Sequence, residues 1–116
     1  MSPTEFYVTN DHGFGASNKL LSLIVDFLRI PGSFLTHCII PPSGEPLCRR
    51  ATDFVLMANG VNISPNGSIL YLTPCTSGSL YIYDRNTTTG ALKLRDEVFI
   101  GGATDNIDVT ETGEVY

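Results

Sequence analysis

The sequence contains no tryptophan, and its 7 lysine and arginine residues are outnumbered by 12 acidic ones. A net charge of −5 leaves no positive footprint for a phosphodiester backbone, so no nucleic-acid partner is expected. Long apolar runs are missing too. The longest, Leu20 to Ile30, is broken by Ser22, Asp26 and Arg29 and falls far short of the roughly 20 residues that span a bilayer. Met1 to Thr9 has neither a basic nor an apolar leader segment, so nothing in it reads as a signal peptide. Cysteine is scarce: Cys38, Cys48 and Cys75 form no CxxC pair, which argues against a zinc knuckle. A single Cys38–Cys48 bridge and buried free thiols are equally compatible with that spacing. No GxSxG elbow and no partnered nucleophilic cysteine occurs, so covalent catalysis has no support. Neither GxGxxG nor GxxxxGK[ST] occurs, which removes phosphate-loop chemistry.

What remains is a foldable composition, 42% hydrophobic and 16% charged, cut into short β-rich stretches by turn formers. Glu5 to Thr9 alternates as a strand and ends at Asn10-Asp11-His12-Gly13. Ser17 or Asn18 can cap a helix in which Leu20, Leu21, Ile24, Phe27 and Leu28 recur at helical spacing, and Pro31-Gly32 stops it. This amphipathic helix, near residues 17–30, is expected to pack on its own domain; a lid or a peripheral membrane contact is the alternative. Strands are expected at Phe34–Ile40, Phe54–Met57, Val61–Ile63, Ile69–Leu72, Leu80–Tyr83 and Leu92–Ile100, separated by Pro-, Gly- and Asn-containing turns.

The decisive pattern is a repeat. Asn59 to Gly67 (NGVNISPNG) overlays Asp105 to Gly113 (DNIDVTETG), and with a slip of one residue Ile69-Leu70-Tyr71 is echoed by Glu114-Val115-Tyr116. A period in the forties with about four strands per period points to blades around an axis, an all-β propeller rather than a sandwich. The units expected are a helix-interrupted blade over 1–57, a four-stranded blade over 58–103, and the first strand of another over 104–116. About two blades cannot close a ring, and an open arc leaves an apolar face in water. The sequence is therefore expected to be an incomplete stretch of a larger propeller.

In such a fold, equivalent strand ends converge on the axis. Asn10 and Asp11 end one strand, Asn59 opens the next unit, and Asp105 and Asn106 open a third. Taken singly, each is a turn former that bonds its own backbone. Recurring at blade spacing, they make a ring of neutral and anionic oxygens suited to a hard cation that takes six to eight such ligands, Ca²⁺ before Mg²⁺ or Zn²⁺.

Phe6 to His12 (FYVTNDH), Ala58 to Gly67 (ANGVNISPNG) and Thr104 to Ile107 (TDNI) closely resemble, in order and spacing, stretches of the serum paraoxonase/arylesterase family. The resemblance covers nearly the whole chain but only about the middle third of a family member. It implies a partial six-bladed β-propeller with two Ca²⁺ sites. By matching motif positions, Asn10, Asn59, Asp105 and Asn106 correspond to ligands of the catalytic calcium, and Asp11 to a ligand of the buried structural one. The activity implied is calcium-dependent hydrolysis of small-molecule aryl esters or lactones. The family's N-terminal acidic ligands and histidine dyad lie upstream of the matched stretch, so no catalytic base is assigned here and the chain alone is expected to be inactive. His12 reads as a hydrogen-bonding structural residue and His37 as an ordinary strand residue; Gly13 replaces an aromatic usual in animal members. A gluconolactonase-like sugar lactonase and a non-catalytic propeller interaction module are the alternative readings. Substrate identity and compartment are not legible in these residues.

Overall fold

Short apolar strands punctuated by polar turns give meanders, because consecutive strands joined by tight turns pair with each other. The computed structural model, which describes residues 4–10, 19–28 and 32–116, contains two antiparallel sheets of this kind and one short helix. The first sheet has the order β1 (Glu5–Asn10), β2 (Phe34–Ile39), β3 (Leu47–Arg50). The second runs β4 (Ala58–Ile63), β5 (Ile69–Pro74), β6 (Ser79–Arg85), β7 (Leu92–Phe99). The protein is thus mostly β, as the turn pattern predicts, and neither sheet closes on itself.

The sheets stack with β1 beside β4, and the core lies between them. Leu35 from β2 meets Ala58, Leu70, Leu72 and Tyr83 from the second sheet. Leu35, Leu70 and Leu72 are fully buried; each contributes roughly 1.5–3 kcal/mol relative to exposure. The outer strand β7 is exposed along almost its whole length.

Three details depart from expectation. β3 is a strand that residue pattern alone leaves as loop: every one of its residues is exposed, and it is held by pairing with β2 and by a disulfide between the facing residues Cys38 and Cys48. Phe54–Met57 is not a strand. Val55 makes only an isolated bridge with Ser33, and Met57 adopts a φ of 39°, because the chain must turn from one sheet into the next within this stretch. The helix α1 (Lys19–Phe27) falls inside the expected span. Three of its described apolar residues face solvent, however: Leu20, Leu23 and Phe27 are 70%, 67% and 88% exposed. The expected caps Ser17 and Asn18 lie outside the described residues.

Candidate metal centre

The first residues of β4 are built irregularly. Ala58 faces Pro74 and Gly60 faces Thr73, so Asn59 is the extra residue of a β-bulge. A bulge interrupts the in-out alternation of a strand and re-aims one side chain. Here the re-aimed group is the Asn59 carboxamide, whose Nδ2 donates to Asp105 Oδ1 at 2.7 Å. Asp105 is brought there by its neighbour: Thr104 N donates to the Cys75 carbonyl and Thr104 Oγ1 to the Pro74 carbonyl, both at 3.3 Å, tying the segment to the end of β5.

The sequence repeat is also a structural repeat. Gly67 N donates to the Ser64 carbonyl at 2.8 Å, and Gly113 N to the Thr110 carbonyl at 3.0 Å. Ser64 Oγ accepts from Ile69 N at 3.1 Å, and Thr110 Oγ1 from Glu114 N at 2.9 Å. The second turn is one residue shorter, which is the slip seen in the sequence. Both turns need a residue at positive φ, supplied by Gly67 (74°) and Gly113 (89°).

The two copies lie side by side in register. Asn59 meets Asp105, and three residues on Asn62 Nδ2 approaches Asp108 Oδ1 at 3.4 Å and the Ile107 carbonyl at 3.3 Å, each side-chain pair 46 positions apart. The pairs differ in chemistry. Asn62 Oδ1 accepts from Ile63 N and Asp108 Oδ1 from Val109 N, both at 2.8 Å, so this pair divides its oxygens between its own backbone and the long cross-copy contact. Asn59 and Asp105 bond each other at the shorter distance of 2.7 Å.

The other expected ligands are distributed as follows. Asn10 closes β1, and its neighbour Thr9 shares a cavity of about 260 Å³ with Met57, Ala58, Asn59 and Cys75. Asn106 is exposed and adjoins Gly60. Asp11, His12 and Gly13 lie outside the described residues. Among the described residues no three histidine, cysteine or acidic side chains gather into a metal-ligating group. What the structure brings together at the Asn59 end is one carboxamide, Asn59, and one carboxylate, Asp105, both of which carry hard oxygen donors.

Where the first sheet meets the second, at the end of β4 away from Asn59, lies a polar cluster that sequence reasoning missed. Glu5 Oε1 accepts from Arg85 Nη2 at 2.7 Å and lies 2.8 Å from His37 Nε2. Arg85 also donates from Nε to Tyr7 Oη and from Nη1 to the Gly67 carbonyl, both at 3.0 Å, and Tyr7 donates to the Gly90 carbonyl. Burial alone would push the Glu5 carboxyl up, but the bonds from His37 and Arg85 and their charge outweigh it and hold it below the ordinary carboxylate range. Burial likewise disfavours the charged Arg85, and its bonds to Tyr7 and Glu5 outweigh that and keep it protonated. Burial raises the Tyr7 phenol. His37 is therefore a buried residue bonded to Glu5 of the neighbouring strand β1, and not an ordinary strand residue. Its one sequence signal is that His37 lies two positions from Leu35, on the face of β2 that the core buries.

Known proteins share this stretch. A family model described as Arylesterase matches residues 1–116. Serum paraoxonase/arylesterase 1 of Homo sapiens is 31% identical over 119 residues, covering 100% of this chain and 31% of that protein. Serum paraoxonase/arylesterase 2 of Rattus norvegicus is 23% identical over 117 residues with the same coverages, and its Homo sapiens counterpart is 24% identical over 95 residues. The chain spans about a third of the length of these curated relatives. On the match along its whole length, it belongs to the arylesterase (paraoxonase) family.

Proposed function

We propose that this chain is the part of a calcium-dependent aryl-ester or lactone hydrolase that carries most of one calcium's protein ligands. The observation that carries the reading is the 2.7 Å contact between Asn59 and Asp105, equivalent positions of two repeats. Two ligand oxygens of one calcium, each 2.3–2.6 Å from the ion, stand roughly 3 Å apart. The carboxamide and carboxylate already have that spacing, and rotation about the last torsion of Asn59 exchanges its NH₂ for its carbonyl oxygen.

Asn10, Asn59, Asp105 and Asn106 would hold the catalytic ion, and Asp11 a second, structural one. The calcium, when bound, supplies a Lewis acid for the ester or lactone carbonyl. This chain's own contribution is positional. The bulge aims Asn59, Thr104 anchors Asp105, and the Glu5–Arg85 cluster ties the first sheet to the second. Sheets stacked in the same order, with repeat copies in register, support blades of a six-bladed propeller over 1–57, 58–103 and 104–116. The base that activates water would come from outside this stretch, so the chain by itself is inactive.

Thermal unfolding with and without Ca²⁺ tests the reading. At a hundredfold excess over Kd, binding to the native state adds about 2.7 kcal/mol. The expected outcome is a rise in Tm with millimolar Ca²⁺, reversed by chelator and lost in Asp105→Ala. A Tm indifferent to both calcium and Asp105→Ala identifies a non-catalytic interaction module instead.

The exposed stripe of Leu20, Leu23 and Phe27 on α1 favours one addition, a peripheral membrane contact. Flotation with phosphatidylcholine vesicles, lost in Leu23→Ser/Phe27→Ser, is the expected result; wild-type protein that stays with the soluble fraction removes it.

A further inference from the structure

Gly60 and Asn106 occupy the same position of the repeat, yet one has no side chain and the other is a candidate ligand. The stacking of the copies explains the difference. A Cβ on Gly60 would stand 2.5 Å from Thr73 Oγ1, 2.7 Å from the Asp105 carbonyl oxygen and 3.2 Å from the Asn106 carbonyl carbon. The Thr73 hydroxyl, which donates to the Gly60 carbonyl at 3.4 Å, is a contact that substitution can remove. The Asp105–Asn106 backbone is not, because Thr104 fastens it to Pro74 and Cys75. Gly60 is thus covered by the very segment that carries two candidate ligands, whereas Asn106 is exposed and free to bear a side chain.

From this we propose that Gly60 is a positioning residue: its missing side chain sets how closely the Asp105–Asn106 segment approaches the bulged Asn59, and so sets the span of the cation site. The inference rests on the calcium reading above and adds to it a residue that makes no contact with the ion. Relieving a 2.7 Å approach to ordinary van der Waals contact displaces Asp105 by roughly half an ångström or more, whereas ligand distances in a working site hold to about 0.2 Å. The bulge and the glycine act together. The first turns Asn59 towards Asp105, and the second lets Asp105 come within 2.7 Å of it.

The test compares Gly60→Ala with Gly67→Ala, a control that loses stability through its positive φ of 74° in a turn with no candidate ligand. Both are expected to unfold at lower temperature than wild type. Calcium affinity, titrated by calorimetry on the 116-residue chain, should fall by about 10–100-fold in Gly60→Ala and stay within about twofold in Gly67→Ala. A readout without metal accompanies it: the nuclear Overhauser contact between the Asn59 side-chain amide and the Asp105 β protons is expected in wild type and Gly67→Ala and absent in Gly60→Ala. Unchanged calcium affinity in Gly60→Ala overturns the proposal. So does full recovery in Gly60→Ala/Thr73→Ala, which would put the conflict on the hydroxyl and not on the Asp105 backbone. If wild-type chain binds no calcium, the functional reading falls, and the Overhauser contact alone decides whether Gly60 sets the spacing.

Discussion

Arg85 and Glu5 meet across the seam between the two sheets, guanidinium Nη2 to carboxylate Oε1 at 2.7 Å, with side chains 2% and 17% exposed. They are 80 residues apart in sequence, and their contact closes the end of the molecule opposite Asn59. Arg85 divides its donors among Glu5, Tyr7 and the Gly67 carbonyl, so it also holds the β4–β5 turn.

Arg85→Met is therefore expected to destabilise the fold by about 3 kcal/mol, because it leaves a largely buried carboxylate short of its main partner. Arg85→Lys should recover only part of the loss, since one ammonium cannot reach three acceptors set in the plane of a guanidinium. Urea denaturation of the two variants checks both statements; a Lys variant as stable as wild type would show that charge alone matters at this position.

Acid should unfold the protein partly through Glu5. Its carboxyl is held below the ordinary value near 4.5 in the folded chain, so its stabilising contribution is complete above that value. The contribution is lost as pH falls through the depressed folded value, when the native carboxylate takes up its proton. Plotted against pH, wild-type Tm is expected to drop steeply below about pH 4.5, and Glu5→Gln to start lower and fall less. Parallel curves for the two proteins would assign the acid lability to other carboxylates.

Asn59→Asp probes the candidate centre directly. It places a second carboxylate about 2.7 Å from Asp105 Oδ1, and like charges at that distance cannot both ionise without cost. Without calcium, stability near neutral pH should fall by about 1–2 kcal/mol. With calcium the deficit should shrink or reverse, because added ligand charge strengthens binding of a hard cation. Tm measured with chelator and then with Ca²⁺ gives both numbers, and an unchanged chelator value means the two side chains are apart in solution.

The repeat was legible because turn chemistry is local. Ser64 and Thr110, Gly67 and Gly113 do the same work at the same spacing, and that work leaves a mark in the sequence. What separates Asn59 from Asn62 was not legible. Both are asparagines matched to aspartates and both reach across to them, but Asn62 also accepts from its own backbone, while Asn59 stands on a bulge that exists only in the paired strands. The Glu5–His37–Arg85 cluster was illegible for a different reason: each member sits unremarkably in its own strand, Glu5 meets His37 only once β1 pairs with β2, and Arg85 reaches Glu5 only once the sheets stack. β3 shows the same limit, since its four exposed residues owe their extended form to β2 and a disulfide and not to any apolar alternation.

That disulfide supplies the last prediction. Cys38 is buried on β2 and Cys48 is exposed on the edge strand, and they face each other across the ladder 10 positions apart in sequence. Closing so short a loop removes about 2–3 kcal/mol of chain entropy from the unfolded state. Beyond its pairing with β2, β3 is held by exposed side chains: Arg49 donates to the Thr89 carbonyl at 2.9 Å, and the Arg50 guanidinium lies 4.8 Å from the centre of the Phe54 ring. Cys38→Ala/Cys48→Ala is thus expected to lose about 2–3 kcal/mol, with amide hydrogen exchange rising first in Leu47–Arg50 and much less in β5. In the oxidised wild type, a thiol reagent under denaturing conditions should find one reactive cysteine, Cys75, and all three after reduction. Three reactive thiols before reduction would mean that β3 is held by pairing alone, and the double variant should then be as stable as wild type.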